Sequence, residues 1–269
     1  MLRHPFRVLW RLAGFLTVSL LAISHFALLL WLCALDLKSD ERTRWSQRWA
    51  KKFLQILRIE NACSGKIPDQ GMLIANHLSY IDILVLSAAQ PMIFVAKKEV
   101  RSWPIIGWLA RCAGTLFIDR QRRADVADLS HAFQPIVDQG VVLALFPEGT
   151  STGGDKVLPF MSSLFEPAVR HKWSVSTAWI GYSLEDGSVS DEVCYWRDMT
   201  FLPHFLNLLS KKKISARVVF GPTVVASSDR KEMAKRLHEQ VCALAESSRF
   251  SHAEAVERTL ISPVEQAAH

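Results

Sequence analysis

The chain has 269 residues, 49% of them apolar, which excludes a disordered chain and leaves room for one large or two small packed domains. Its net charge of +6 points to anionic partners; no zinc-ligand spacing or aromatic RNA-binding run accompanies that charge, so membrane lipid is the expected partner and nucleic acid is not. Five cysteines, at 33, 63, 112, 194 and 242, form no Cys-x-x-Cys pair, so neither a disulfide framework nor a bound metal is expected and the soluble part reads as belonging to a reducing compartment.

Leu12 to Leu35 contains no Lys, Arg, Asp or Glu and is long enough to cross a bilayer's hydrocarbon region as a helix. It exceeds the roughly 7–15 apolar residues of a cleaved secretory signal, so a membrane anchor is expected. Basic residues flank both ends: Arg3, Arg7 and Arg11 before it; Lys38, Arg42, Arg44, Arg48, Lys51 and Lys52 after it. Charge therefore sets no orientation, and a segment lying in one leaflet fits as well as a full crossing. Trp45, Trp49, Phe53, Leu54 and Leu57 then recur at helical spacing beside Arg44, Arg48, Lys51 and Lys52. This predicts a basic amphipathic helix docked on the membrane interface by its apolar face.

Beyond it, short apolar runs (Met92–Ala96, Val141–Phe146, Val175–Ile180) alternate with longer segments of helical character, which predicts an α/β fold with a mixed sheet flanked by helices. A strand over Ala216–Phe220 is expected to end at Gly221-Pro222. After it, Ser228 or Asp229 caps a helix whose apolar face carries Met233, Leu237, Val241 and Leu244. The expected division is 1–58 anchor and amphipathic helix, 59–246 main domain, and 247–269 polar tail, frayed or disordered.

Three polar runs interrupt this pattern where an apolar stretch meets turn residues. The first, Asn76-His77-Leu78-Ser79-Tyr80-Ile81-Asp82, follows Met72–Ala75. Imidazole is the side chain best suited to take a proton from an alcohol near neutral pH, and a carboxylate partner fixes its tautomer. On one regular helix the two would stand about 140° apart, so His77 is placed in the connection and Asp82 in the first helical turn, facing the positive end of the helix dipole. The second run, Gly114-Thr115-Leu116-Phe117-Ile118-Asp119-Arg120, offers in Arg120 a guanidinium fork suited to an anionic headgroup, or simply a surface partner for Asp119. In the third, Leu145-Phe146-Pro147-Glu148-Gly149-Thr150-Ser151, the glycine permits close backbone approach and Glu148 can meet acceptor hydroxyls or Arg120. The plain alternative is a tight turn with Thr150 or Ser151 capping a following helix. Lys97 and Lys98 can attract the anionic part of a donor or lipid, or stand as solvated surface charges. Trp103–Leu109 is an apolar stretch suited to an acyl chain or to the core.

Taken together and in this order, the three runs resemble the glycerolipid acyltransferase superfamily over roughly Gly71 to Thr223. The resemblance implies transfer of an acyl group from acyl-CoA or acyl carrier protein to a lyso-lipid hydroxyl, with no cofactor beyond that thioester. His77 would act as base, Asp82 as its support, and Arg120, Glu148 and Gly149 as acceptor-binding positions; Thr150, next in the run, is a further substrate-binding candidate. The unpaired cysteines, and the compartment in which acyl thioesters are made, lead to the expectation of a site facing the cytoplasm at the inner membrane. The superfamily's commonest acceptor, 1-acylglycerol-3-phosphate, comes first. Tyr195-Trp196-Arg197-Asp198-Met199 with Phe201–His204, and Thr150–Gly153, are similar to the branch that acylates lyso-ornithine lipid, which comes second. Where many members carry a proline in a fourth motif, this chain has Thr177, a departure that bears on the substrate pocket. Rival classes lack their residues: there is no Gly-x-Ser-x-Gly elbow, His238-Glu239-Gln240-Val241-Cys242 puts cysteine where a zinc protease needs histidine, and Asp155 interrupts the phosphate-loop likeness of Gly149–Lys156. A membrane-anchored lipid-binding protein without turnover is the alternative of another kind. It would need none of the three polar runs.

Overall fold

The computed structural model describes residues 4–34, 36–118, 129–226 and 229–265. In chain order these form α1 (Pro5–Leu32), α2 (Ser39–Leu57), β1 (Ile59–Ser64), β2 (Met72–Ala75), α3 (Asp82–Ala89), β3 (Met92–Lys97), a 3₁₀ segment (Lys98–Ser102), α4 (Ile106–Cys112) and β4 (Leu116–Ile118). They continue with α5 (Leu129–Asp138), β5 (Val142–Leu145), a second 3₁₀ segment (Ser162–Phe165), α6 (Glu166–His171), β6 (Ser174–Leu184), α7 (Val189–Glu192), α8 (Phe201–Ser210), β7 (Ile214–Val225) and α9 (Arg230–Glu265).

The described strands form one seven-stranded sheet in the order β1-β7-β6-β2-β5-β3-β4. β6, β2, β5, β3 and β4 run parallel, whereas β7 is antiparallel to β6 and β1 follows β7. The mixed sheet expected from the alternation is thus present. β2 and β5 are buried at every position, as parallel strands covered on both faces must be. Their side chains alternate between two cores. Leu73, Phe94, Ala144 and Ile180 meet α1, α2, α3 and α8 on one face, while Met72, Ile93, Leu143 and Val175 meet α5, α6 and α9 on the other.

Two expectations are corrected and one open alternative is resolved. β7 runs on through Gly221-Pro222 to Val225, because the register shifts between Ser176 and Ala178 and leaves a bulge opposite those residues, where proline's missing N–H costs no ladder bond. Of the two alternatives for the tail, the helix is the one present: the chain after Ser247 continues as helix to Glu265. The second correction concerns α2, whose Trp45, Phe53, Leu54 and Leu57 are buried against the protein's own core and leave Arg44, Arg48, Lys51 and Lys52 exposed, so its apolar face is not free for a membrane. The predicted cap on α9 is made by Asp229, whose Oδ1 accepts from the amides of Lys231 and Glu232; Ser228 lies outside the described residues.

α1 is long and apolar enough to cross a bilayer by length and composition. One of its stripes, Val8, Arg11, Phe15, Ser19, Ala22 and Phe26, is nevertheless buried. Phe15 packs on Phe53 of α2 and Phe205 of α8. Arg11 donates to the carbonyls of Leu209, Lys211 and Lys212, and Arg7 to that of Ser210, so the α1 guanidiniums cap the carboxyl end of α8. The break expected at residue 58 falls at the turn between α2 and β1, yet both sides contribute to a single apolar core. On its other stripe Phe6, Trp10, Leu20, Trp31 and Leu32 are exposed.

Candidate active site

Parallel strands open their carboxyl ends on one edge of the sheet, which is where α/β folds place ligands. Neighbouring β2 and β5 deliver the first and third polar runs to that edge, with Ile74 paired to Leu145. The chain leaves β2 without losing its partner on β6: the Asn76 amide accepts from Ile180 N and donates to Ile180 O, standing in for one more strand residue. His77 N then donates to Glu148 Oε1 at 2.7 Å, His77 O accepts from Thr152 N at 3.0 Å, and Leu78 O accepts from Tyr195 N at 2.8 Å. The loop is thereby held from three sides, and the His77 ring stacks on Phe146 with centroids 4.3 Å apart.

α3 begins at Asp82, as the spacing predicted. Its carboxylate is fully buried and receives four donors. His77 Nδ1 lies 2.8 Å from Oδ2, which also takes the amides of Leu78 (2.7 Å) and Ser79 (3.0 Å), while the Tyr182 hydroxyl donates to Oδ1 at 2.6 Å. An ionised carboxylate only accepts, so Nδ1 carries the proton and Nε2 presents its lone pair. The His77 side chain is 24% exposed and borders a cavity of about 310 Å³. That cavity runs between the sheet edge and the helices. Aromatic residues Tyr80, Trp103 and Tyr195 stand with His77 in its wall, and Trp45, Phe53 and Leu57 line it on the α2 side.

Glu148 is buried, with Oε1 on the His77 amide and Oε2 on that of Leu158 at 2.7 Å. Burial pushes its carboxyl up to about 7 against the pull of these two amides, and the Asp82 charge adds to the rise. Gly149 adopts φ 76°, the left-handed region that favours glycine, and lines the cavity with Thr150. The following residues form a loop with no helix before Ser162, so neither Thr150 nor Ser151 acts as a helix cap. Lys97 lines the cavity, whereas Lys98 opens the exposed 3₁₀ segment outside the lining. Trp103, Ile106 and Leu109 of the apolar stretch face the same cavity. Arg120 lies outside the described residues.

The sequence reading missed Asn76 as a strand extender, Tyr182, and the pairing of Tyr80 with His204, whose ring nitrogens meet the Tyr80 hydroxyl and the Cys194 carbonyl at 3.0 Å. Period-two alternation carried past Ile180 would have put Tyr182 on the same face as Ala178 and Ile180.

A His77–Asp82 pair at a parallel strand end, opening on a cavity lined largely by apolar side chains beside a long apolar helix, is the arrangement of an α/β enzyme with room for an apolar substrate. The family model described as Acyltransferase matches residues 59–181. A lyso-ornithine lipid O-acyltransferase of Rhodobacter capsulatus is 39% identical over 171 residues, which is 61% of this chain and 62% of that protein. The protein of that name from Pseudomonas aeruginosa is 34% identical over 201 residues, covering 74% of this chain and 76% of its own. A 1-acyl-sn-glycerol-3-phosphate acyltransferase of Neisseria meningitidis is 31% identical over 179 residues, 66% and 70% of the two chains. The fold matches the crystal structure of the 1-acyl-sn-glycerophosphate acyltransferase PlsC of Thermotoga maritima with a TM-score of 0.67 at 19% identity, covering 90% of this chain and 96% of that one. The chain belongs to the glycerolipid acyltransferase superfamily and is an acyltransferase. Its apolar α1 and its membrane-lipid acyltransferase relatives are compatible with association with a membrane.

Proposed function

We propose that this protein transfers an acyl group from a thioester, acyl-CoA or acyl carrier protein, to the hydroxyl of lyso-ornithine lipid. His77 Nε2 takes the hydroxyl proton as the oxygen attacks the thioester carbonyl. Asp82 holds the ring and stabilises the imidazolium; the proton then leaves on the thiol. The observation that carries this reading is the 2.8 Å His77–Asp82 contact at the cavity wall, with no hydrogen bond to Nε2 among the described residues. A general base contributes about 10²–10⁴ in rate, so positioning supplies the rest.

The acyl chain lies in the cavity beside α2, where hiding it from water contributes about 0.8 kcal/mol per methylene. Glu148 acts here as a strut for the His77 backbone, Gly149 and Thr150 border the acceptor, Arg120 is assigned an anionic group of the acceptor, and Lys97 the anionic part of the donor or a lipid.

The order of acceptors expected from sequence is reversed for two reasons. The lyso-ornithine relatives align at up to 39% identity. The segment that resembled their branch is also fastened to the site, with Tyr195 N on Leu78 O and the Ser151 hydroxyl on Tyr195 O. The second reading, 1-acylglycerol-3-phosphate, is favoured by the Neisseria relative. Purified protein given labelled acyl thioester and a panel of lyso-lipids decides between them. Label in ornithine lipid supports the first, label in phosphatidic acid alone selects the second, and label in neither removes both.

α1 lies along one leaflet in this reading. α2 packs against α1 and carries exposed Arg48, Lys51 and Lys52, which a full crossing would drag into hydrocarbon at about 2.5–3.5 kcal/mol each. We place the site on the cytoplasmic face of the inner membrane, where acyl thioesters are made.

A further inference from the structure

We propose that Tyr182 is a positioning residue for the catalytic pair: its hydroxyl pins the second oxygen of the Asp82 carboxylate and thereby sets the orientation and basicity of His77. This rests on the general-base reading above. β6 has 11 residues and β2 four, so β6 runs on past the place where Asn76 closes the β2 ladder on Ile180. Two residues further along the same face comes Tyr182, its backbone paired with Ala216 of β7.

The two carboxylate oxygens have separate tasks. Oδ2 gathers the imidazole and two loop amides, all from residues 77–79, and these alone leave the carboxylate plane fixed from one side. Tyr182 grips Oδ1 at 2.6 Å from β6, a strand outside that loop. The phenol is held protonated by its burial and then by the Asp82 charge, so it stays a donor across the working pH range. A hydroxyl drawing on Oδ1 also lowers the negative charge that Asp82 presents to the imidazolium, which keeps the proton from being held too tightly to pass on to the leaving thiol.

The test uses the full chain in detergent or vesicles with Tyr182→Phe, Asp82→Asn and the double variant. Tyr182→Phe is expected to lower kcat about tenfold or more, with KM for both substrates within about twofold, and to move the acidic limb of the kcat–pH profile to higher pH. In the Asp82→Asn background the same substitution is expected to change the residual rate by less than about twofold, because the group it acts through is gone. Equal loss in both backgrounds, or a limb that stays in place, overturns the proposal and leaves Tyr182 a packing residue. Should the phenylalanine variant fail to fold, 3-fluorotyrosine at position 182 keeps the ring and makes a stronger donor. It is expected to shift the limb to lower pH, and an unmoved limb is again contradictory. Failure here is distinct from failure of the parent reading: a His77→Ala variant that keeps its rate removes the general base, whereas a dead His77→Ala with an indifferent Tyr182 removes this inference alone.

Discussion

Glu148 shows how a single side chain can hold the backbone of the site in place. Each of its oxygens takes one backbone amide, and one of those belongs to His77. Glutamine at this position keeps the shape but turns an NH₂ group toward one of the two N–H donors, leaving it unpaired at a cost of about 1–3 kcal/mol. Glu148→Gln is therefore expected to lose melting temperature and to lower kcat about tenfold, read by thermal unfolding and acyl transfer on the same sample. Its pH behaviour has a definite sign. With the folded value raised from 4.5 to about 7, the folded chain binds this proton more tightly than the unfolded one. The resulting stability is fully present below 4.5 and lost as pH rises through about 7, a change of roughly 3 kcal/mol. Between pH 5 and pH 8 the wild type should lose more stability than Glu148→Gln; equal slopes would show that Glu148 does not titrate there. None of this was legible from Pro147-Glu148-Gly149, which gives a turn and a carboxylate but not the amides that converge on it. His77 and Asp82 were legible because their spacing across a strand-to-helix turn is a local constraint.

At the level of elements, periodicity showed α1, α2 and the start of α9 as helices and misread what α2 packs against. An apolar stripe at 3.6-residue spacing looks alike whether lipid or protein covers it. The decision lies in α1, whose Phe15 seals Phe53, and in residues some 200 positions away on α8. Strand β1 was missed for a related reason: Glu60, Ala62, Cys63 and Ser64 are exposed on a sheet edge, so the run lacks an apolar signature. The long-range link is testable at Arg11, which is buried and gives hydrogen bonds to three carbonyls at the end of α8. Arg11→Leu should destabilise the protein by about 2–3 kcal/mol. Arg44→Leu, at an exposed i,i+4 pair with Asp40, should stay within about 0.5 kcal/mol. Urea unfolding of both variants in detergent checks the contrast, and comparable losses would mean that Arg11 does not hold the two helices together.

Over the whole molecule, the same body that buries one stripe of α1 leaves the other, with Trp10, Leu20, Leu21 and Trp31, open along its length. Continuous apolar exposure of this kind marks a contact surface, and the proposed function assigns it to lipid. Leu20→Glu with Leu21→Glu should move the protein from floating to free in a vesicle flotation assay while its unfolding transition is unchanged; undiminished flotation would put the membrane contact elsewhere. Phe15, on the buried stripe of the same helix, lines the cavity that His77 borders, so α1 belongs both to the exposed apolar surface and to the wall of the candidate site. The central claim is that this imidazole, steadied by Asp82, takes the proton from the lipid alcohol. Single-turnover acyl transfer by His77→Ala, folded and vesicle-bound like the wild type, tests it most directly: the account predicts a fall of about 10²–10⁴, and a rate within a few-fold of wild type would contradict it.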